Sequence, residues 1–308
     1  MLSMNIVFTQ ILVILLYVLV GFVAGKAGLI NPDQRKYLTR LCTNLILPFT
    51  ILSASNQSVT PQELAGLGLA ALMALGLFFL TTLTVLRVLS ARGTPTAVKV
   101  TTASLVTYPN CTFLGLPLCR ALFGDTAILY NAVAMVAFNV LFFTWQCSLF
   151  TGEKFRPRNL ATPGTVATAL LVLFLALGLR FPDPVQTVVS NTGAMITPLS
   201  LIIIGVMMSE NPIAAILREK RAYWIALLRN LAIPLIAALA LRLTPFDASG
   251  KLCLLVYLSC PCATLTSIYA IQSDMEPELA ARGVLLSTLL FAATLPAIIY
   301  LGTAILQA

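Results

Sequence analysis

Ser104-Leu-Val-Thr-Tyr-Pro-Asn-Cys-Thr-Phe-Leu-Gly-Leu-Pro117 lies within a run, Val100 to Cys119, that contains no Asp, Glu, Lys or Arg. The run is long enough to cross a bilayer, yet its middle opposes a continuous helix. Pro109 removes a backbone donor and disfavours helix at Tyr108, while Asn110, Thr112 and Gly115 bring polar atoms and close approach into the next turn. A second stretch, Leu258-Ser-Cys-Pro-Cys-Ala-Thr-Leu-Thr-Ser267, repeats the pattern, with Pro261 ringed by Ser259, Thr264, Thr266 and Ser267. Unwound backbone in hydrocarbon is tolerated only where protein or a water-filled cavity satisfies it. Two breaks that cross near the midplane would present half-helix N-termini, with free N–H groups and a positive dipole end, to a common point. That is an anion site, with Asn110 as an added donor. The competing reading is two kinked but continuous helices whose Thr and Ser bond back to the freed carbonyls.

Outward from these stretches the chain is built for lipid. Of 308 residues 59% are apolar and 10% charged, and the mean hydropathy is +0.95, whereas an ordinary soluble domain is roughly 25% charged. A water-soluble enzyme is excluded. The runs Met1 to Gly25, Leu64 to Leu86, Val100 to Cys119, Thr126 to Gly152, Asn159 to Leu179, Pro184 to Ser209, Leu252 to Ser273 and Gly283 to Ala308 are free of charge. An ionised side chain at the bilayer centre costs several kcal/mol, so each reads as a crossing. Segments near 36–55 and 221–242 hold one interior Arg each, Arg40 and Arg229, which brings the expected total to ten. The first apolar stretch lacks a basic n-region and a cleavage site, so it is kept as a helix.

The net charge of +8 reports orientation. Lys26, Arg35, Lys36, Arg87, Arg92, Lys99, Lys154, Arg156, Arg158, Arg218, Lys220, Arg221 and Arg282 fall in alternate connections, against Arg120, Arg180, Arg242 and Lys251 on the other side. The asymmetry places the basic loops in the cytoplasm and both termini outside it, and it removes the nucleic-acid reading of the charge.

The chain also repeats itself. Gly28-Leu-Ile-Asn-Pro-Asp33 recurs as Gly178-Leu-Arg-Phe-Pro-Asp183, an offset of 150; Pro48 precedes Pro198 by 150, and Pro109 precedes Pro261 by 152. With five crossings per half, the second copy is inverted, the plan of many secondary transporters, whose substrate sites lie at matched discontinuous helices. The expected organisation is 1–150 for the first repeat, 151–162 for a cytoplasmic linker and 163–308 for the second repeat.

Other polar residues at membrane depth divide between two readings. Asn44, one turn before Pro48, either lines the site or bonds between helices; Asn131 and Asn139 read as interhelical glue. Arg229 is either a counter-ion or a side chain that snorkels to the cytoplasmic interface, and Arg40 reads as a snorkeller. Asp125 and the Asp274, Glu276, Glu278 group stand at span ends, solvated or open to cation coupling. All seven Cys (42, 111, 119, 147, 253, 260 and 262) fall within apolar spans and read as small buried residues. No His, phosphate loop, Ser-x-x-Lys or Gly-x-Ser-x-Gly is present, so an enzyme, a cofactor and a metal site are not expected.

Gly25-Lys-Ala-Gly-Leu-Ile-Asn-Pro-Asp33 leading to Asn44-Leu-Ile-Leu-Pro48, Asn110-Cys-Thr-Phe-Leu-Gly-Leu-Pro117 with Ala121-Leu-Phe-Gly124, Thr197-Pro-Leu-Ser-Leu-Ile-Ile-Ile-Gly205, and Gly283-Val to Leu295-Pro296 together resemble the auxin efflux carrier family, including its bacterial malate and malonate permease-like members. The link between the fifth and sixth spans is short, as in compact bacterial members. The resemblance implies an all-α membrane protein of ten transmembrane helices in two inverted five-helix repeats, with crossed, Pro-broken helices 4 and 9. It further implies a scaffold from spans 1, 2, 6 and 7, a mobile domain that moves by an elevator motion, a small organic anion as substrate, and a homodimer in the cell (inner or plasma) membrane. Asn110 matches the substrate-contacting Asn of the family; the ninth span carries Cys260-Pro261-Cys262 with no amide beside its proline. The expected substrate-binding set is Asn110, Pro109, Cys111, Thr112, Asn44, Pro261, Cys262 and Thr264, with hinges at Pro109, Gly115, Pro117 and Pro261. Two other readings remain open at this point: a sodium-coupled organic-anion symporter of the bile-acid type, which shares the five-plus-five plan, and a membrane sensor that binds without transporting.

Overall fold

The computed structural model describes residues 4–154 and 157–307; Arg156, counted above among the basic loop residues, lies outside them. Every regular element among the described residues is helical. Seven helices among the described residues are long and apolar enough to cross a membrane: Asn5–Lys26, Pro32–Asn56, Pro61–Ala91, Thr126–Thr151, Asp183–Ser209, Lys220–Arg242 and Pro277–Gln307. Cys111–Phe123, Pro163–Leu177 and Ala248–Ser259 are apolar but shorter. The charge-free run Val100 to Cys119 is not one helix. It is divided between Thr96–Thr107 and the helical turns that begin at Cys111, and Leu252 to Ser273 is likewise divided between Ala248–Leu258 and Thr264–Gln272.

Three of the helices widen into a π turn for an identifiable reason. The π turns Cys42–Ile46, Cys111–Gly115 and Leu228–Ala232 each stand just ahead of a proline: Pro48, Pro117 and Pro234. A helical proline has no N–H and its ring clashes with the carbonyl four residues back. That carbonyl belongs to Asn44, Phe113 or Asn230, in the middle of each turn, and the backbone makes room by shifting to bonds five residues long. Leu47 N–H accordingly bonds to Cys42 O, and Ile233 N–H to Leu228 O. No proline explains the fourth π turn, Phe142–Gln146.

The helices group into two compact units. The first contains Met1–Ala70, Thr112–Val136 and Ala161–Pro212. Its main packing sets helix Met4–Lys26 against helix Ile196–Ser209. Gly21 and Gly25 form a Gly-x-x-x-Gly face that meets Gly205 and Ser209. Between apolar helices in lipid, association rests on close packing by small residues, because there is no water to expel. A Cβ on Gly21 would collide with the Ile202 backbone, and one on Gly205 with the backbone of Val18 and Phe22. At the helix termini the repeated motif takes matched forms. Gly28 and Gly178 both adopt positive φ, at 73° and 65°, after a helix ends, and the helix that follows each has a proline in its first two residues, Pro32 and Pro184. Asn31 caps the first of these, accepting from Gln34 N–H at 2.9 Å while Gln34 Oε1 accepts from Asn31 N–H.

The second unit contains Ala71–Cys111, Ala137–Leu160 and Ile213–Ala308. Its core joins Leu105, Val106, Ile225, Ile233, Cys262, Leu279 and Val284, so both broken stretches are built into one apolar mass. Tyr108 is wedged between Phe78, Phe138 and Phe142, with the last two ring centroids each 5.1 Å away, which anchors the residue ahead of Pro109.

Candidate functional site

Two half-helices of the second unit stop short at the same place. Thr96–Thr107 ends at Tyr108, which is extended at φ −97°, ψ 121°, the region Pro109 imposes on its predecessor. Ala248–Leu258 ends at Ser259, and the non-helical stretch that follows is extended at Ala263, φ −66°, ψ 130°, where Thr264–Gln272 begins. The helices are broken, so the kinked-helix alternative does not hold. The extended segments pair antiparallel at Pro109 and Cys262. Asn110 N–H donates to Pro261 O at 2.7 Å, and Ala263 N–H donates to Tyr108 O at 2.9 Å. Asn110 Nδ2 donates to Thr264 Oγ1 at 3.2 Å, with both residues buried.

Bookkeeping of the freed carbonyls identifies one more member. Helix continuation would have given Val106 O the N–H of Asn110, Thr107 O that of Cys111, and Leu258 O that of Cys262. Those amides go elsewhere: to Pro261 O, to Pro109 O at 2.8 Å, and to Ser287 Oγ at 3.1 Å. Arg229 supplies the replacement. Its guanidinium donates to Thr107 O at 2.7 Å, Val106 O at 3.2 Å, Cys260 O at 3.0 Å and also to Leu258 O. The residue has 0% exposure, which overturns the snorkelling expectation. One side chain thus satisfies the carbonyl ends of both half-helices, the ends at which the helix dipole favours a cation.

Around this centre the polar groups interlock. Ser104 Oγ and Thr266 Oγ1 share a hydrogen bond of 2.7 Å, and Thr82 Oγ1 donates to Thr107 Oγ1 at 3.1 Å. Asn230, beside Arg229 on the same π turn, donates to Ser287 O at 2.9 Å. Sequence reasoning missed Ser287 and Asn230; the signal for the latter was its place four residues ahead of Pro234.

Of the expected binding residues, the structure brings Pro109, Asn110, Pro261, Cys262 and Thr264 together in the second unit, with Cys111 buried next in sequence. Thr112, Gly115 and Pro117 belong to the first unit, as does Asn44, which is exposed on the π turn Cys42–Ile46. Asn131 was expected to join helices; it is buried, and neither its Oδ1 nor its Nδ2 has a hydrogen-bond partner. Three of the four acidic residues singled out at span ends are in ion pairs: Glu276 with Arg221, Glu278 with Arg282, and Asp125 with Arg120. All seven Cys are buried and none is disulfide-bonded. A separate cavity of about 170 Å³ in the first unit is lined by Ser55, Ser58, Phe174 and Arg180 among others, and Arg180 donates to Ser58 Oγ at 2.8 Å.

Comparison with known proteins bears on what such a centre does. The family model described as membrane transport protein matches residues 6–160 and 149–299. The chain is also similar to an uncharacterized transporter of Methanothermobacter thermautotrophicus, 24% identical over 299 residues, covering 93% of this chain and 95% of that protein.

Proposed function

The chain belongs to the membrane transport protein family, and from that premise we propose that it is a secondary carrier of small organic anions, of the class of malate or malonate, bound at the crossing of the two broken helices. The observation that carries this reading is the polarity of the crossing: a buried guanidinium on the carbonyl ends of both half-helices, and buried Asn110 and Thr264 on the far side of the breaks. The guanidinium offsets the negative carbonyl ends of the two half-helices, and the one formal charge it brings to the described residues of this centre is positive, which an anion complements. No acidic side chain lies within Tyr108 to Gly115 or Leu258 to Ser267, which favours an anion over a coordinated sodium ion at the breaks.

In this reading ten crossings form two inverted five-helix repeats, with spans four and nine broken and both termini outside the cytoplasm of the cell membrane. The matched glycine and proline positions of the two halves support the repeat. Helices of spans 1, 2, 6 and 7 fall in one compact unit and the paired breaks in the other, a partition that suits an elevator motion of the second unit. The working form is a homodimer. Counterflow of labelled malonate and malate into proteoliposomes tests the proposal. Exchange without sodium supports it; binding without exchange would make the protein a sensor, and strict sodium dependence would make it a symporter.

A further inference from the structure

Arg229 is expensive where it stands. Removing a guanidinium from water is costly unless every donor is met, and its acceptors here are carbonyl oxygens rather than carboxylates. Among the described buried residues it is the only Asp, Glu, Lys or Arg. The unit therefore carries one formal positive charge in its interior, and it is held by neutral dipoles.

The chain has built a local device to place it. Pro234 forces the π turn Leu228–Ala232, and the residues of that turn leave the ordinary helical register. Arg229 and Asn230 are both inside, at 0% and 1% exposure, though adjacent residues on a helix do not ordinarily point the same way. Arg229 reaches the carbonyls of Thr107 and Cys260, and Asn230 reaches Ser287, whose hydroxyl accepts from Cys262 N–H. The proline-induced turn thus grips both breaks from one point. A guanidinium suits the task because it offers five donors in a rigid plane, where an ammonium offers three on a flexible stem.

We infer that Arg229 is a positioning residue for the crossing: it clamps the carbonyl ends of both half-helices, holds Asn110 and Thr264 in place, and supplies the fixed positive charge that an anion neutralises. The second half of this statement rests on the reading of the crossing as an anion site. The first half stands on geometry alone. When empty, the centre keeps its charge on backbone dipoles; when an anion is bound, the charge has a counter-ion. The same residue thereby serves architecture and selectivity.

Full-length protein reconstituted as wild type, Arg229→Gln and Arg229→Lys tests both halves. The clamp is read by the rate at which N-ethylmaleimide modifies Cys111, Cys260 and Cys262, buried thiols at the breaks, mapped peptide by peptide. Both variants lose donors, so these thiols are expected to react about tenfold faster through local opening, with Cys42 in the other unit unchanged as the internal control. Labelling of Arg229→Gln at the wild-type rate would overturn the clamp. Charge is read by the KM for labelled malonate in counterflow. The expected result is a rise of about tenfold for Arg229→Gln and rescue to within about threefold of wild type for Arg229→Lys, since lysine keeps the charge. Equal KM values for the two variants would overturn the charge role, because a merely structural side chain would not sort them by charge. Wild type that exchanges neither malonate nor malate would remove the proposed substrate reading and the charge role with it, while labelling still decides the clamp. Where Arg229→Gln does not fold, the labelling rate of Arg229→Lys makes that decision.

Discussion

The backbone N–H of Asn110 donates to the carbonyl of Pro261 at 2.7 Å. Two breaks separated by half the chain are therefore one structure, since each extended segment uses the other as its hydrogen-bond partner. Such groups do not respond independently to mutation. Pro109→Ala and Pro261→Ala each restore a backbone donor and lift the bar to helix at the preceding residue. Each is expected to slow malonate counterflow by about tenfold, and the double variant by no more than the worse single one. Multiplied losses in the double variant would show that the breaks act separately.

The hydroxyls of Ser104 and Thr266 meet at 2.7 Å with both residues fully buried. Thr266→Val keeps the shape and takes away the partner of the buried Ser104 hydroxyl, and an unmet buried polar group costs about 1–3 kcal/mol. A lower midpoint in a thermal melt of the detergent-solubilised protein is the expected outcome, and restoration in the Ser104→Ala, Thr266→Val pair is the check that the lost bond is the cause.

Gly205 meets the backbone of Val18 and Phe22, and backbone cannot step aside as a side-chain tip can. Gly205→Val is expected to cost about 1–3 kcal/mol or more by overpacking, seen as loss of monodisperse protein on size exclusion. Gly76, whose added Cβ would meet nothing within 4 Å, is the contrast: Gly76→Ala should leave the elution profile unchanged.

Acid sensitivity is expected at the loop ion pairs. Hydrogen bonding from Arg221 holds the Glu219 carboxyl below its usual value, helped by the charge of Arg282. A carboxylate depressed in the folded state contributes stability above its unfolded pKa, about 4.3, and loses it as pH falls through the lower folded value. The melting temperature should be level between about pH 7 and pH 5 on this account and should fall below about pH 4. Glu219→Gln should flatten part of that fall; an unaltered acid limb would remove Glu219 from the account.

Much of this was legible from residue order, and the parts that were not share one cause. Pro109 and Pro261 announce their breaks because the restriction on the residue before proline is local. Gly28 and Gly178 announce matched helix ends because positive φ selects glycine. Arg229 was not legible. Its distance in sequence from the helix end allowed snorkelling, and only the π turn ahead of Pro234 together with two distant carbonyl ends gives it an interior place. Asn131 failed for the same reason, since a polar residue in an apolar helix says nothing of whether a partner faces it. The charge-free runs located the lipid-soluble segments, but hydropathy alone does not register a missing N–H, and it was the prolines that marked Val100 to Cys119 and Leu252 to Ser273 as divided.

The central claim is that an organic anion binds and is carried at the crossing that Asn110 and Thr264 share. Counterflow of labelled malonate in proteoliposomes containing wild-type or Asn110→Ala protein, inserted in equal amounts, tests it most directly. The account predicts exchange by the wild type and a loss of about tenfold or more in Asn110→Ala. Unchanged uptake kinetics in Asn110→Ala would contradict it.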